Sequence, residues 1–150
     1  MAVGPLGNVY IIDDRYRVAR INVRYDKVDK VLAIPGYDCV TEVPDGSNVE
    51  FRNTANNIAM GAFNVAIPGT KLTIPVWRLY ITSEQNTVSL INPLTMTISQ
   101  VITVEGAGEL DAIAADPARN SVFITDEELS ALWILQGQCA DGVRSACKTK

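Results

Sequence analysis

Histidine is absent from the 150 residues of this chain. That absence removes Ser-His-Asp and Cys-His catalysis, and every imidazole metal site, from within it. Cysteine is scarce, with only Cys39, Cys139 and Cys147. Three are too few for a disulfide scaffold, and without a histidine or a second cysteine pair their spacing does not suit zinc. Cys139 and Cys147, in a polar tail that contains Gly142, are the candidate disulfide, with free thiols as the alternative. Cys39 borders a strand-like run and reads as a small buried hydrophobe. No run of 18 apolar residues occurs, so membrane insertion through a helix is not expected. The first seven residues lack a basic n-region and an apolar h-region, so no secretory signal is read and no compartment is assigned. Gly106-Ala107-Gly108 lacks the third glycine and the following helix of a phosphate loop.

Charge of the positive sign is also short. Thirteen Lys and Arg stand against seventeen Asp and Glu, giving a net charge of −4 and a pI near 4.8. Nucleic acid is therefore not an expected partner, because neutralising phosphates requires clustered basic residues. Arg15, Arg17, Arg20, Arg24, Lys27 and Lys30 do gather in one stretch. Asp13, Asp14, Asp26 and Asp29 interleave with them, which predicts a charge-paired strand face rather than an anion site.

Among what is present, 47% of residues are hydrophobic, enough for one domain with a substantial core. Their arrangement is repetitive. Residues 9–36 and 79–106 align without a gap at an offset of 70. Tyr10, Ile11, Val18, Ile21, Asn22, Val31 and Gly36 meet Tyr80, Ile81, Val88, Ile91, Asn92, Val101 and Gly106. Elsewhere apolar character survives, as in Val9 with Leu79, Val28 with Ile98 and Ile34 with Val104. Val122-Phe123-Ile124-Thr125 restarts the pattern 43 residues after Leu79-Tyr80-Ile81-Thr82. Short apolar runs at 8–12, 17–22, 28–34 and 39–43 are separated by polar turns, and the second copy repeats them at 79–82, 87–92, 97–104 and 110–115. Pro44-Asp45-Gly46-Ser47 and Asp116-Pro117-Ala118-Arg119-Asn120 close the two copies with strong turn chemistry.

The reading is an all-β chain of antiparallel, four-stranded repeat units of about 40 residues, the blade period of a β-propeller. Its expected units are 8–48, an irregular 49–77, 78–120 and a partial 121–138, before a polar tail at 139–150. The irregular stretch is either a truncated unit or a connection. The last unit supports two readings. Thr125 and Glu128 form a capping box that would open a helix over 126–138, whereas the repeat register demands a strand pair there.

These residues resemble the YVTN family of β-propeller repeats. The resemblance rests on Leu79-Tyr80-Ile81-Thr82, Asn86-Thr87-Val88-Ser89-Leu90-Ile91-Asn92, Val101-Ile102-Thr103-Val104-Glu105-Gly106 and Ala112-Ile113-Ala114-Ala115-Asp116-Pro117. Val9-Tyr10-Ile11, Val18-Ala19-Arg20-Ile21-Asn22 and Val43-Pro44-Asp45-Gly46 match in the first copy. About two thirds of the chain is covered. The resemblance implies stacked blades and an extracytoplasmic or cell-surface setting, but the motifs encode strands and turns rather than chemistry.

No catalytic constellation and no cofactor site is read. Asp13-Asp14, Glu84 and Asp126-Glu127-Glu128 fall in equivalent turns; they read as wet hairpin turns, with a ring of cation ligands as the sharper alternative. Tyr10, Tyr80 and Phe123 recur at one strand position and read as packing between units. Trp77 and Trp133 are the candidate interface residues, weighed against core or edge-covering roles. The expected function is a non-enzymatic β-repeat module that works by protein–protein assembly, through self-association or incorporation in a larger assembly. A structural subunit of a virion or filament with a sandwich-like core, and a piece of a larger propeller enzyme or ligand-binding protein, are the alternatives.

Overall fold

The computed structural model describes residues 1–13, 17–34, 55–83 and 85–136. Eleven strands account for most of them: β1 (Ala2–Val3), β2 (Val9–Ile12), β3 (Arg17–Asn22), β4 (Lys27–Ala33), β5 (Ala55–Ala66), β6 (Thr73–Ser83), β7 (Thr87–Asn92), β8 (Thr97–Thr103), β9 (Leu110–Asp116), β10 (Ser121–Asp126) and β11 (Ala131–Gln136). They form three sheets, ordered β1-β2-β3-β4, β5-β6-β7-β8 and β11-β10-β9. Every strand pair is antiparallel. The chain is all-β.

The sequence repeat is reproduced in hydrogen-bond register. Tyr10 lies opposite Arg20 and Ile12 opposite Val18, as Tyr80 lies opposite Leu90 and Thr82 opposite Val88. A bulge sits at one place in both copies: Asp29 is the extra residue facing Arg20 and Ile21, and Ser99 the extra residue facing Leu90 and Ile91. Each following hairpin turn is held by an Asx side chain. Asn22 Oδ1 accepts from Arg24 N at 3.1 Å and Asn92 Oδ1 from Leu94 N at 3.0 Å. Each turn ends in a left-handed residue, Asp26 at φ 50° and Met96 at φ 56°.

The sheets begin one strand earlier than the sequence units. Leu110–Asp116, read as the last strand of unit 78–120, is instead the first strand of the third sheet, paired with β10. The boundary at 77/78 falls inside β6. Of the irregular stretch, residues 55–77 supply the long β5–β6 hairpin. β5 is the first strand of the middle sheet, as β1 and β9 are of theirs.

The C-terminal helix does not form: residues 121–126 and 131–136 are the paired strands β10 and β11. Propensity yields because Val122, Ile124 and Leu135 are fully buried against the middle sheet, a burial that a helix there would break. Thr125 does not cap a helix; its Oγ1 accepts from Ala112 N at 2.9 Å. Thr82 Oγ1 accepts from Asn57 N in the same way at the equivalent place in the middle sheet.

Side chains directly opposite on paired strands share a face, so each sheet's two faces can be assigned. Ala2, Tyr10, Val18 and Leu32 of the first sheet pack on Ile58, Met60, Leu79, Ile81 and Ile91 of the second. Ala59, Tyr80, Val88 and Ile102, on the opposite face of the second sheet, pack on Ile113, Ala115, Val122, Ile124 and Leu135 of the third. The middle sheet is thus covered on both sides. The two junctions join corresponding faces in the same sense, so the stack runs head to tail.

Candidate functional site

Among the described residues, two faces that no other sheet covers end the stack. On the first sheet, Val3, Val9, Ile11, Ile21, Val28 and Val31 alternate with the core residues and point away from the second sheet. Val28 is 52% exposed and Val31 56%, while Val9, Ile11 and Ile21 are half-buried. On the third sheet, Ala114, Phe123, Leu132 and Ile134 point outward. Leu132 is 58% exposed; Phe123 and Ile134 are half-buried. Contiguous exposed apolar residues of this kind mark interaction surfaces.

A third feature extends beyond β7: its base packs on the core through the fully buried Phe63, and its far end is exposed. Pairing between β6 and β7 stops at Leu79↔Ile91, but β5 and β6 continue from Gly61↔Arg78 to Ala66↔Thr73. The extension is a two-stranded ribbon of about 20 Å at the usual rise per residue. Its tip carries Thr70, whose Oγ1 donates to Ile67 O at 3.0 Å and accepts from Leu72 N at 3.1 Å. Leu72, Ile74 and Trp77 are exposed along it.

Trp77, at 36% exposure, therefore lies on a projecting element. Trp133 does not: it packs against the core between the second and third sheets, and its Nε1 donates to Asp126 Oδ2 at 2.9 Å. The structure brings the two tryptophans to no common surface. Phe123 departs from Tyr10 and Tyr80, which are fully buried between sheets, because no sheet among the described residues covers it. Cys39, Cys139 and Cys147 lie outside the described residues, as does the expected strand at 39–43.

Asp126, Arg20, Asp29 and Tyr10, polar groups close to the junctions, are internally matched. Asp126 is 2% exposed and accepts from Leu129 N, Gly108 N and Trp133 Nε1. Burial alone would raise its pKa; the three donors outweigh burial and hold the carboxyl below the ordinary aspartate value. Arg20 binds Asp29 bidentately at 2.8 and 3.0 Å, and its Nη1 donates to Leu94 O at 2.8 Å and Pro93 O at 3.3 Å. Tyr10 Oη donates to the same Pro93 O at 2.9 Å. These bonds pin the first sheet to the β7–β8 turn. Burial pushes the Tyr10 phenol upward in pKa, and Arg20 holds Asp29 below its usual value.

Within the basic stretch Arg17 pairs with Asp13 at 2.6 Å and Arg20 with Asp29 at 2.8 Å. Arg24 and Lys27 lie over the Tyr25 ring at 5.6 and 5.8 Å. Of the acidic turn residues, Asp14 and Glu84 fall outside the described residues. No group of three or more metal-ligating side chains occurs among those described. No described helix is long and apolar enough to cross a membrane. No protein-family model matches this sequence, and a search of curated proteins finds no relative.

Sequence reasoning missed β1 and β5, and with them the outward faces. The missed signal is a second offset: Ala2, Val3 and Gly4 correspond through strand pairing to Ala59, Met60 and Gly61, 57 residues on rather than 70. The ribbon is inserted between those strands and their neighbours, which breaks the register.

Proposed function

We propose that this chain is a non-enzymatic β-repeat module, with its sheets as consecutive propeller-type blades, that works by protein–protein assembly. The observation that carries this reading is the apolar outer face of the first sheet, where Val3, Val28 and Val31 are more than half exposed. Burying apolar surface is the main driving force of association, and such a face in water favours a partner. Three further features support it. The sheets repeat in one sense, as blades do; the ribbon projects Leu72, Ile74 and Trp77 into solvent; and the matched polar groups hold structure rather than a substrate.

A structural-subunit role in a filament or virion is the second reading, and the ribbon favours it, because projecting β-arms reach neighbouring subunits. The first test is solution mass by light scattering across a hundredfold range of concentration, oxidised and reduced. Self-assembly above the 16.3 kDa chain mass is expected. A chain that stays monomeric throughout, and that cross-links to no copy of itself, overturns the assembly reading.

A further inference from the structure

We infer that the outer face of the first sheet and the outer face of the third are the two halves of one contact, and that each is covered by the other face of a second copy. The inference rests on the assembly reading and names its partner. The internal junction repeats. Across the first junction, Ala2, Gly4, Tyr10 and Val18 seat on Met60, Leu79, Ile81 and Ile91. Across the second, Ala59, Gly61, Tyr80 and Val88 seat on Ala115, Val122, Ile124 and Leu135.

Closeness of approach repeats as well. A Cβ on Gly4 would lie 2.7 Å from Met60 Cε, and one on Gly61 would lie 3.0 Å from Ala115 Cβ. Met60 and Ala115 occupy the same place in their sheets, each opposite the residue that aligns as Leu79 or Val122. The two junctions are therefore one interface made twice.

Continuing that register off each end names the missing halves. The third sheet offers Ala114, Phe123, Leu132 and Ile134, which stand where Ala59, Tyr80, Val88 and Leu90 stand in the second sheet. The first sheet offers Val3, Val9, Ile11 and Ile21, which stand where Met60, Leu79, Ile81 and Ile91 stand. Each set is apolar, and each matches a set that is already covered by the other's counterpart. At the place of Gly4 and Gly61 the third sheet carries Asp116. Its carboxylate is drawn back into its own turn, accepting from Arg119 N at 3.2 Å and Arg119 Nη1 at 2.7 Å. A contact between two unlike faces is heterologous: it closes into a ring where the rotation permits, and otherwise propagates as a chain.

The test pairs one substitution on each face. Ile11→Asp disables the first-sheet face and Leu132→Asp the third-sheet face; both side chains point outward. Ile11→Thr, which keeps the branched β-carbon suited to a strand, is the milder companion. Far-UV circular dichroism on dilute samples checks folding. Each Asp variant alone is expected to self-associate at least about a hundredfold more weakly, since a carboxylate would be buried without a partner. Mixed one to one, the two variants should form a complex of two chains, joined through the one intact junction. Loss in one variant but not the other would mean that a face pairs with itself, and overturns the inference. Parental assembly that survives both substitutions also overturns it, while leaving the assembly reading intact. A parent that is monomeric throughout defeats both.

Discussion

Asp126 is the residue whose chemistry is most tightly determined by its surroundings. Its folded carboxyl titrates below the unfolded value of about 3.9, so the ionised form adds stability above that pH. The contribution is lost as pH falls through the folded value. Asp29 and Asp116 are depressed by Arg20 and Arg119 and act with the same sign. The folded chain should therefore weaken below about pH 4. Trp133→Phe removes one of the three donors to Asp126. It is expected to cost about 1–3 kcal/mol at neutral pH and to move the acid-unfolding midpoint upward. Tryptophan-independent circular dichroism across a pH series checks both; an unchanged midpoint would remove Trp133 from the network. Arg20→Lys keeps the charge but loses the planar fork that reaches Asp29, Pro93 and Leu94 together. A loss of about 1–2 kcal/mol in a urea titration is the expected result.

Between elements, Gly61 is where β5 meets β9 at close range. A Cβ there would lie 2.6 Å from Phe63 Cε2 and 3.0 Å from Ala115 Cβ, the latter fixed to backbone. Gly61→Val should destabilise the chain by about 1–3 kcal/mol through overpacking. At the equivalent Gly4 the obstacle includes the flexible end of Met60, so Gly4→Ala should cost less. Thermal melts of the two variants side by side decide this, and equal losses would mean that the Met60 end does not give way at Gly4. The same elements explain what the sequence made legible. Strands β2–β4 and β6–β8 could be read because their identities fall on apolar positions at one offset. β1 is too short to carry a pattern, and in β5 the apolar positions are diluted by Asn56, Asn57, Gly61 and Asn64. The strand at 131–136 was ambiguous because local capping favoured a helix, while the deciding burial of Leu135 comes from a sheet distant in sequence. Between the interface and core readings of Trp133 the sequence could not choose for the same reason: its partner Asp126 becomes visible only once the hairpin closes.

At the scale of the whole molecule, Tyr10, Tyr80 and Phe123 make the stack measurable, because one position recurs in three sheets with different cover. Tyr80 is fully buried between two sheets and meets Phe63 edge-on, with ring centroids 5.8 Å apart. Tyr80→Ala should cost about 3–5 kcal/mol, as large aromatic deletions in packed cores do. Phe123 occupies the same strand position, half-buried and with no described sheet over it, so in dilute solution Phe123→Ala should cost much less. A second copy that covers that face adds to stability only as its concentration rises past the dissociation constant. The difference between parent and Phe123→Ala should therefore grow with protein concentration, whereas the difference between parent and Tyr80→Ala should not. Urea titrations at two concentrations a hundredfold apart give both differences. A Phe123→Ala cost that is small and constant would leave the third-sheet face without a partner. A cost as large as that of Tyr80→Ala at the lowest concentration would mean that another part of the same chain already covers it.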